Sequence, residues 1–594
     1  MVHPSASTRA LLAIAIFVPA ALSQVSRCAP CHAQIAAGFQ KTGMGRSFSP
    51  VHPETFPGKP LFGKPYYHEA SDTWYTMLER GGRIFQRRWQ LGFNGKETNV
   101  EEKQVDFVLG SGNHARTYLH LTARGTLQQL PLGWYAEKGG YLAMNPGYDR
   151  PDHPGSTRAI SYECMSCHNA YPRIPSANRE EGAEARYLEP LPAGIDCQRC
   201  HGPGQQHIAT SGKASIVNPS RLAPDRQLEV CLQCHLETTS RLLPHSIQRH
   251  GRTPFSYVAG QPLADFELTF DRASGQNQSI EVAGGAYRFR QSQCFLKSEG
   301  KLLCTTCHNP HDIRHGDEAS ARYNQVCAGC HTNAHRSSES CVACHMPKTR
   351  TDDAVHIAIT DHRIQRRPPV GDLLAEKAEL PETPATSYRG PVVPYYPAKA
   401  DALYEAVAQV RDGSNLQAGL PRLAALIAAG RPAHPGFYVD LAEAYLAAAD
   451  PARAVRSFED ALSRAPESLV ISLRLANALI ATRQWARAEA TLRKATARSP
   501  SEPLAWGLLG WALWQQDRRV EAKTALDKAL QFDPEVPELH NYLGSLLLGI
   551  GDRPGAERAF REAVRLQPGD RRVAREPGRL AGRIGTDSRS ALLL

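Results

Sequence analysis

A five-residue unit, Cys-x-x-Cys-His, occurs seven times in this chain of 594 residues. In chain order the copies, motifs 1 to 7, are Cys28/Cys31/His32, Cys164/Cys167/His168, Cys197/Cys200/His201, Cys231/Cys234/His235, Cys304/Cys307/His308, Cys327/Cys330/His331 and Cys341/Cys344/His345. Two cysteines three residues apart share one face of a helical turn, and the histidine that follows lies over the same face. Both thiols can then bond the vinyl groups of one porphyrin while the imidazole reaches the iron. The unit is the attachment signature of c-type haem. A cysteine would begin such a unit by chance about once in a thousand, so seven among fifteen cysteines is no accident of composition. Disulfides do not require the histidine, and fifteen is odd. Zinc sites use Cys-x-x-Cys pairs without demanding histidine at the next position. The expected cofactors are seven c-type haems, with iron held on one side by His32, His168, His201, His235, His308, His331 and His345.

The formal charge of +10 raises the question of an anionic partner. Two propionates on each of seven haems would bring up to about fourteen negative charges, so the basic excess is read as compensation for the cofactors. No nucleic-acid motif is present. The N-terminus reads as a secretory signal over residues 1–23. Arg9 supplies the charge, Leu11 to Ala21 the apolar run, and Ala21-Leu22-Ser23 the small-residue end. The run is short for a membrane span, and no other apolar stretch qualifies. The expectation is an exported protein, periplasmic or outer-surface-associated in a bacterium.

Residues 24–365 are read as one seven-haem domain. Six motifs fall within about 205 residues, too few for a separate apolar core around each haem. The haems themselves are expected to form the core, wrapped in short helices and loops. Residues 60–148 contain no cysteine, and runs of β-forming residues are broken by Gly-Gly and Asn-Gly. They read as a β-rich hairpin insert. Iron held by one histidine usually takes a second axial ligand. His207 and His311 lie too close to their own motifs to fold back, so each is assigned to a neighbouring haem. His335, one of the pair His356 and His362, the loop residue His114, and Met44 through its thioether are the other candidates. Cys294 is the odd cysteine, read as a small buried hydrophobe. Arg288 and Arg290 are read as propionate partners or as a solvated face.

The stretches Cys197-Gln-Arg-Cys-His-Gly-Pro-Gly-Gln-Gln-His207, Cys304-Thr-Thr-Cys-His-Asn-Pro-His311 and Cys341-Val-Ala-Cys-His-Met-Pro-Lys348 resemble multihaem cytochromes of the cytochrome c-552/4 type. That group is related to hydroxylamine oxidoreductase and pentahaem nitrite reductase. The resemblance covers roughly residues 25–365. It implies electron transfer, and it implies that His207 and His311 bind adjacent haems. It departs from the nitrite reductases, whose catalytic haem is attached through Cys-x-x-Cys-Lys, because all seven motifs here end in histidine. No single tyrosine can be nominated for hydroxylamine chemistry.

Residues 366–400 hold seven prolines and read as a semi-rigid linker. Residues 401–584 read as tetratricopeptide repeats with a period of 34. Pro466, Pro500, Pro534 and Pro568 fall in register, as do Leu441, Leu475, Leu509 and Leu543. Four repeats are expected at 435–468, 469–502, 503–536 and 537–570, after a degenerate helix pair at 401–432 and before a capping stretch at 571–584. The fold class is mainly α: a haem-cored cytochrome domain with a β insert, then an α-solenoid. Two functions remain open. One is an electron carrier that meets redox partner proteins and docks through its repeats. The other is an oxidoreductase acting on a small nitrogen or sulfur compound at one five-coordinate haem. No catalytic residue can be named for the second.

Overall fold

The computed structural model describes residues 24–56, 59–239, 246–273, 279–331, 340–367, 369–379, 388–413 and 415–568. The signal segment 1–23, His335 and the stretch 571–584 lie outside the described residues. No described helix is long and apolar enough to cross a membrane.

The attachment motifs sit on single turns rather than long helices. Such turns occur at Tyr162–His168, Gln198–His201, Cys304–Cys307 and Cys341–His345, with a longer helix at Pro224–His235. The backbone N–H of His32, His201, His308 and His331 donates to the carbonyl of its motif's first cysteine at 2.9–3.0 Å. One turn of helix thus brings both thiols and the imidazole to one side. Gly202, with φ +72°, breaks the chain away directly after His201.

The insert is two antiparallel sheets. One runs through Tyr66–His68, Thr73–Arg80, Arg83–Leu91 and Glu97–Gln104. Its central hairpin pairs Arg80 with Arg83 across Gly81-Gly82, both at positive φ as a two-residue turn requires. The other sheet contains Phe107–Leu109, Ala115–Leu121, Leu127–Tyr135 and Tyr141–Met144, and it is closed by Phe48–Pro50. A strand from before the expected insert therefore completes it.

The repeat region forms helix pairs at the expected period. They are Gly436–Ala447 with Pro451–Arg464, Leu469–Ala481 with Trp485–Arg498, Pro503–Trp514 with Arg519–Phe532, and Pro537–Gly549 with Arg553–Leu566. Ala402–Val410 and Leu416–Gly430 precede them. The small residues in register are where helices touch. A Cβ on Gly510 would meet Leu526 Cγ at 2.7 Å, and one on Gly544 would meet the Phe560 ring at 2.6 Å.

The proline-rich stretch is not a spacer along its whole length. Val392–Tyr396 pairs antiparallel with Glu267–Arg272 as the third strand of a sheet that begins at Ser246–Gln248. Prolines are tolerated there because the strand is at the sheet edge. Ile247, Leu268, Phe270 and Val392 of this sheet share one apolar core with Tyr404, Val407 and the repeat helices. The two halves of the chain are thus continuous through their interior.

A polar seam adds to that join. Arg124 bonds Glu184 at 2.8 Å and Asp533 at 2.6 Å, and Arg186 bonds Glu502 at 3.1 Å. Buried His250 is held through Nδ1 by Glu181 at 2.9 Å and through Nε2 by Asp440 of the solenoid at 3.1 Å. Burial opposes its charged form, but the hydrogen bonds to Asp440 and Glu181 outweigh this and raise its pKa to about 9. An unfolded histidine titrates near about 6.5. The His250 contribution is therefore complete below about pH 6.5 and lost as pH rises through about 9. His250→Gln is expected to cost about 2–3 kcal/mol at pH 6 and to flatten this part of the stability–pH curve, measured by thermal denaturation between pH 6 and 10. An unchanged alkaline limb would remove His250 as its source.

Candidate functional site

The imidazoles around the motifs are oriented from behind. His201 Nδ1 bonds the Val217 carbonyl at 2.8 Å, and His345 Nδ1 bonds that of Gln365 at 2.6 Å. His308 Nδ1 meets the Tyr323 hydroxyl at 3.1 Å. Outside the motifs, His207 Nδ1 bonds the Ala214 carbonyl at 2.8 Å and His362 Nδ1 that of Thr360 at 2.9 Å. A proton donated from Nδ1 to a carbonyl leaves Nε2 with a free lone pair, the arrangement that orients metal-binding histidines. Burial pushes His168 and His308 down to about 4 and lowers His235, His311 and His362. All five are neutral at pH 7, as a ligand must be.

Three attachment imidazoles lie beside an imidazole from outside the motifs, while two further pairs, His68 with His153 and His250 with His434, at 5.7 and 5.1 Å, involve no motif. Ring centroids of His32 and His207 are 6.4 Å apart, of His201 and His311 6.0 Å, and of His308 and His362 6.2 Å. An imidazole nitrogen lies about 2 Å from a first-row metal and about 1 Å from its own ring centre. Two rings on opposite sides of one iron are therefore about 6 Å apart. The facing rings are spaced as axial ligands of a shared iron. In each of these three an attachment histidine meets a histidine that follows the motif two further along: motif 1 with the segment after motif 3, motif 3 with that after motif 5, motif 5 with that after motif 7.

The motifs themselves are in contact. Cys28 and Cys197 lie within hydrogen-bonding reach, as do Cys167 and Cys234, Cys231 and Cys304, and Cys327 and Cys341. Cys200 also lies beside Cys231. The order is 1–3–4–5, with motif 2 branching onto motif 4, and motifs 6 and 7 adjoining each other. Cys294 neighbours Cys307, Cys327 and Cys330, so it stands between motifs 5 and 6. Cys31, Cys164 and Cys330 are exposed. Among the described residues no cysteine is in a disulfide.

The other sequence candidates have the following surroundings. His356 spends its Nε2 on Asp149 Oδ2 at 2.8 Å and packs on Tyr135 and Tyr141 of the insert, so His362 is the member of that pair that faces a motif. Arg288 is paired with Asp361 by two bonds of 2.9 and 2.7 Å, while its Nη1 is buried without a protein partner. Arg290 instead covers the rings of Phe295, Tyr395 and Tyr396. Met44 packs with Val25, Ala36, Phe39 and Ile195, beside a motif whose two imidazoles already face each other. His114 bonds the backbone of Ala358, beside the hairpin that follows motif 7. Cys344, the second attachment cysteine of motif 7, is half-buried on the turn Cys341–His345. No described imidazole takes the facing position opposite His168 or His235. The carbonyls behind the imidazoles, and the buried guanidinium of Arg199, have no signal in the sequence.

The paired imidazoles and contiguous motifs fit c-type haem, and the helix pairs fit tetratricopeptide repeats: the chain is a multihaem cytochrome joined to a repeat solenoid. The family models and the sequence relative agree at that level. A family model described as a doubled CXXCH motif matches residues 297–336. The model described as the C-terminal domain of cilia and flagella-associated protein 70 matches residues 399–582. The multiheme cytochrome MtrA of Shewanella baltica (strain OS185) is 24% identical over 177 residues, covering 28% of this chain and 51% of the relative. The chain thus spans about half the length of the curated relative it matches. Among solved structures, MamA from Desulfovibrio magneticus RS-1 is 22% identical, covering 29% of this chain and 98% of that one, with a TM-score of 0.26. The tetratricopeptide protein TTC0263 of Thermus thermophilus is 20% identical, covering 30% and 98%, also at 0.26.

Removal of one facing imidazole tests the pairing. His311→Ala is expected to turn one haem from low spin to high spin in optical and electron paramagnetic resonance spectra, with covalent haem content unchanged. Spectra that superimpose on the wild type would remove His311 from the ligand set.

Proposed function

We propose that this chain is an exported electron-transfer protein of the cytochrome c-552/4 type, holding seven haems and passing electrons among them to partner proteins. The observation that carries this reading is the three facing imidazole pairs at 6.0–6.4 Å. Haem iron bound between two histidines supplies a one-electron centre without an open position for substrate. The chain's own residues fix its orientation. Val217, Thr360, Ala214 and Gln365 hold the imidazoles through their carbonyls, and motif-to-motif contacts set the sequence of neighbours. The repeats supply protein contact, part of which is spent on the chain's own cytochrome half.

A second reading rests on motif 2. No facing imidazole accompanies half-buried His168 among the described residues, and its Nδ1 is buried without a hydrogen-bond partner. That is where a five-coordinate haem acting on a small nitrogen or sulfur compound would sit.

One spectrum separates the two. Electron paramagnetic resonance of the oxidised protein is expected to show low-spin haem throughout under the first reading. A stoichiometric high-spin signal that shifts on adding nitrite or hydroxylamine would replace it with the second.

A further inference from the structure

Arg199 lies between the two cysteines of motif 3, and its side chain enters the place where motifs 2, 3 and 4 meet. The residue is 4% exposed. Nη2 donates to the carbonyl of Ser166, inside motif 2, at 2.9 Å. Gln233, inside motif 4, donates to the Arg199 carbonyl at 3.2 Å. The rings of Tyr171 and Phe255 cover the guanidinium at 5.3 and 5.7 Å. Cys167 and Cys234 are among its electrostatic neighbours. The Tyr171 hydroxyl is within hydrogen-bonding reach of the guanidinium. Asp196, three residues earlier, accepts from the backbone and side chain of Gln198 and acts on Arg199 from beyond ion-pair distance.

A buried guanidinium cannot lose its proton, and its burial far from an ion-pair partner is unfavourable. Its position therefore calls for a role. We propose that Arg199 is a fixed internal cation that raises the reduction potentials of the haems held by motifs 2, 3 and 4. This rests on the reading that those motifs carry haem. The oxidised centre carries one more positive charge than the reduced one. A nearby cation in a low-dielectric interior disfavours the oxidised state and draws electrons to that place. Motif 4 contacts motifs 2, 3 and 5, so the site favoured is the branch point of the row. Arg199 is a positioning residue for electrons and touches no substrate.

The test is a spectroelectrochemical titration of the full-length protein as Arg199→Gln and Arg199→Lys, with covalent haem counted by intact mass in each. The Gln variant is expected to shift the highest-potential steps downward, while the Lys variant stays close to the wild type. Because the charge is buried, the shift persists in high salt. Titration curves that superimpose for wild type and Gln variant at equal haem content would overturn the proposal. So would a Gln variant with lowered thermal stability and unmoved potentials, since that marks a packing role. Wild-type protein lacking haem at motifs 2 to 4 would sink the underlying reading instead. Should the Gln variant fail to accumulate, Arg199→Met replaces it in the same comparison, with the same two outcomes.

Discussion

Three attachment histidines each meet a histidine from a distant segment, joining parts of the chain that local folding would leave apart. His32 meets His207, His201 meets His311, and His308 meets His362. Each tie spans an intervening motif, so the segments interleave rather than forming separate beads. This explains how helices of a single turn can build a stable domain. A helix that short is unfavourable alone because its nucleus costs more entropy than its hydrogen bonds return. Here the turns are held by what the facing imidazoles grip and by the carbonyls behind them. The same ties bring the attachment sites into contact, the condition for electron passage.

The solenoid is built on a different principle. Its helix pairs bury alanines, leucines and phenylalanines against neighbours in sequence, so each repeat depends mainly on the next. The two principles meet at one sheet. Ile247, Leu268 and Phe270 come from the cytochrome half and Val392 from the proline-rich stretch, and all enter the core of the leading repeat helices. Charged contacts from Arg124, Arg186 and His250 extend the join along the inter-repeat loops. The repeat domain is therefore part of the cytochrome's frame as well as a surface for other proteins.

What can be read from the sequence follows the range of the interaction involved. The attachment turns and the 34-residue period are local, so Cys-x-x-Cys-His and the register of Pro466 to Pro568 are enough to place them. His207 and His311 are legible as residues that meet a motif other than their own, because their short spacing forbids folding back. Which motif each faces is not legible, since the partner is set by long-range chain crossing. His356 and His362 look equivalent in sequence; only the position of Asp149 separates them. The prolines around Val392 suggest a spacer and conceal an edge strand whose partner lies far upstream. Arg199 and His250 carry no pattern at all. Their environments are made by burial and by neighbours from distant segments.

The account's central claim is that covalently attached haems fill the interior of the N-terminal half. Intact mass spectrometry of the mature protein, made in cells with the cytochrome maturation machinery, tests this most directly. The account predicts a mass equal to the polypeptide plus seven haems. A mass equal to the bare polypeptide, from folded and colourless material, would contradict it.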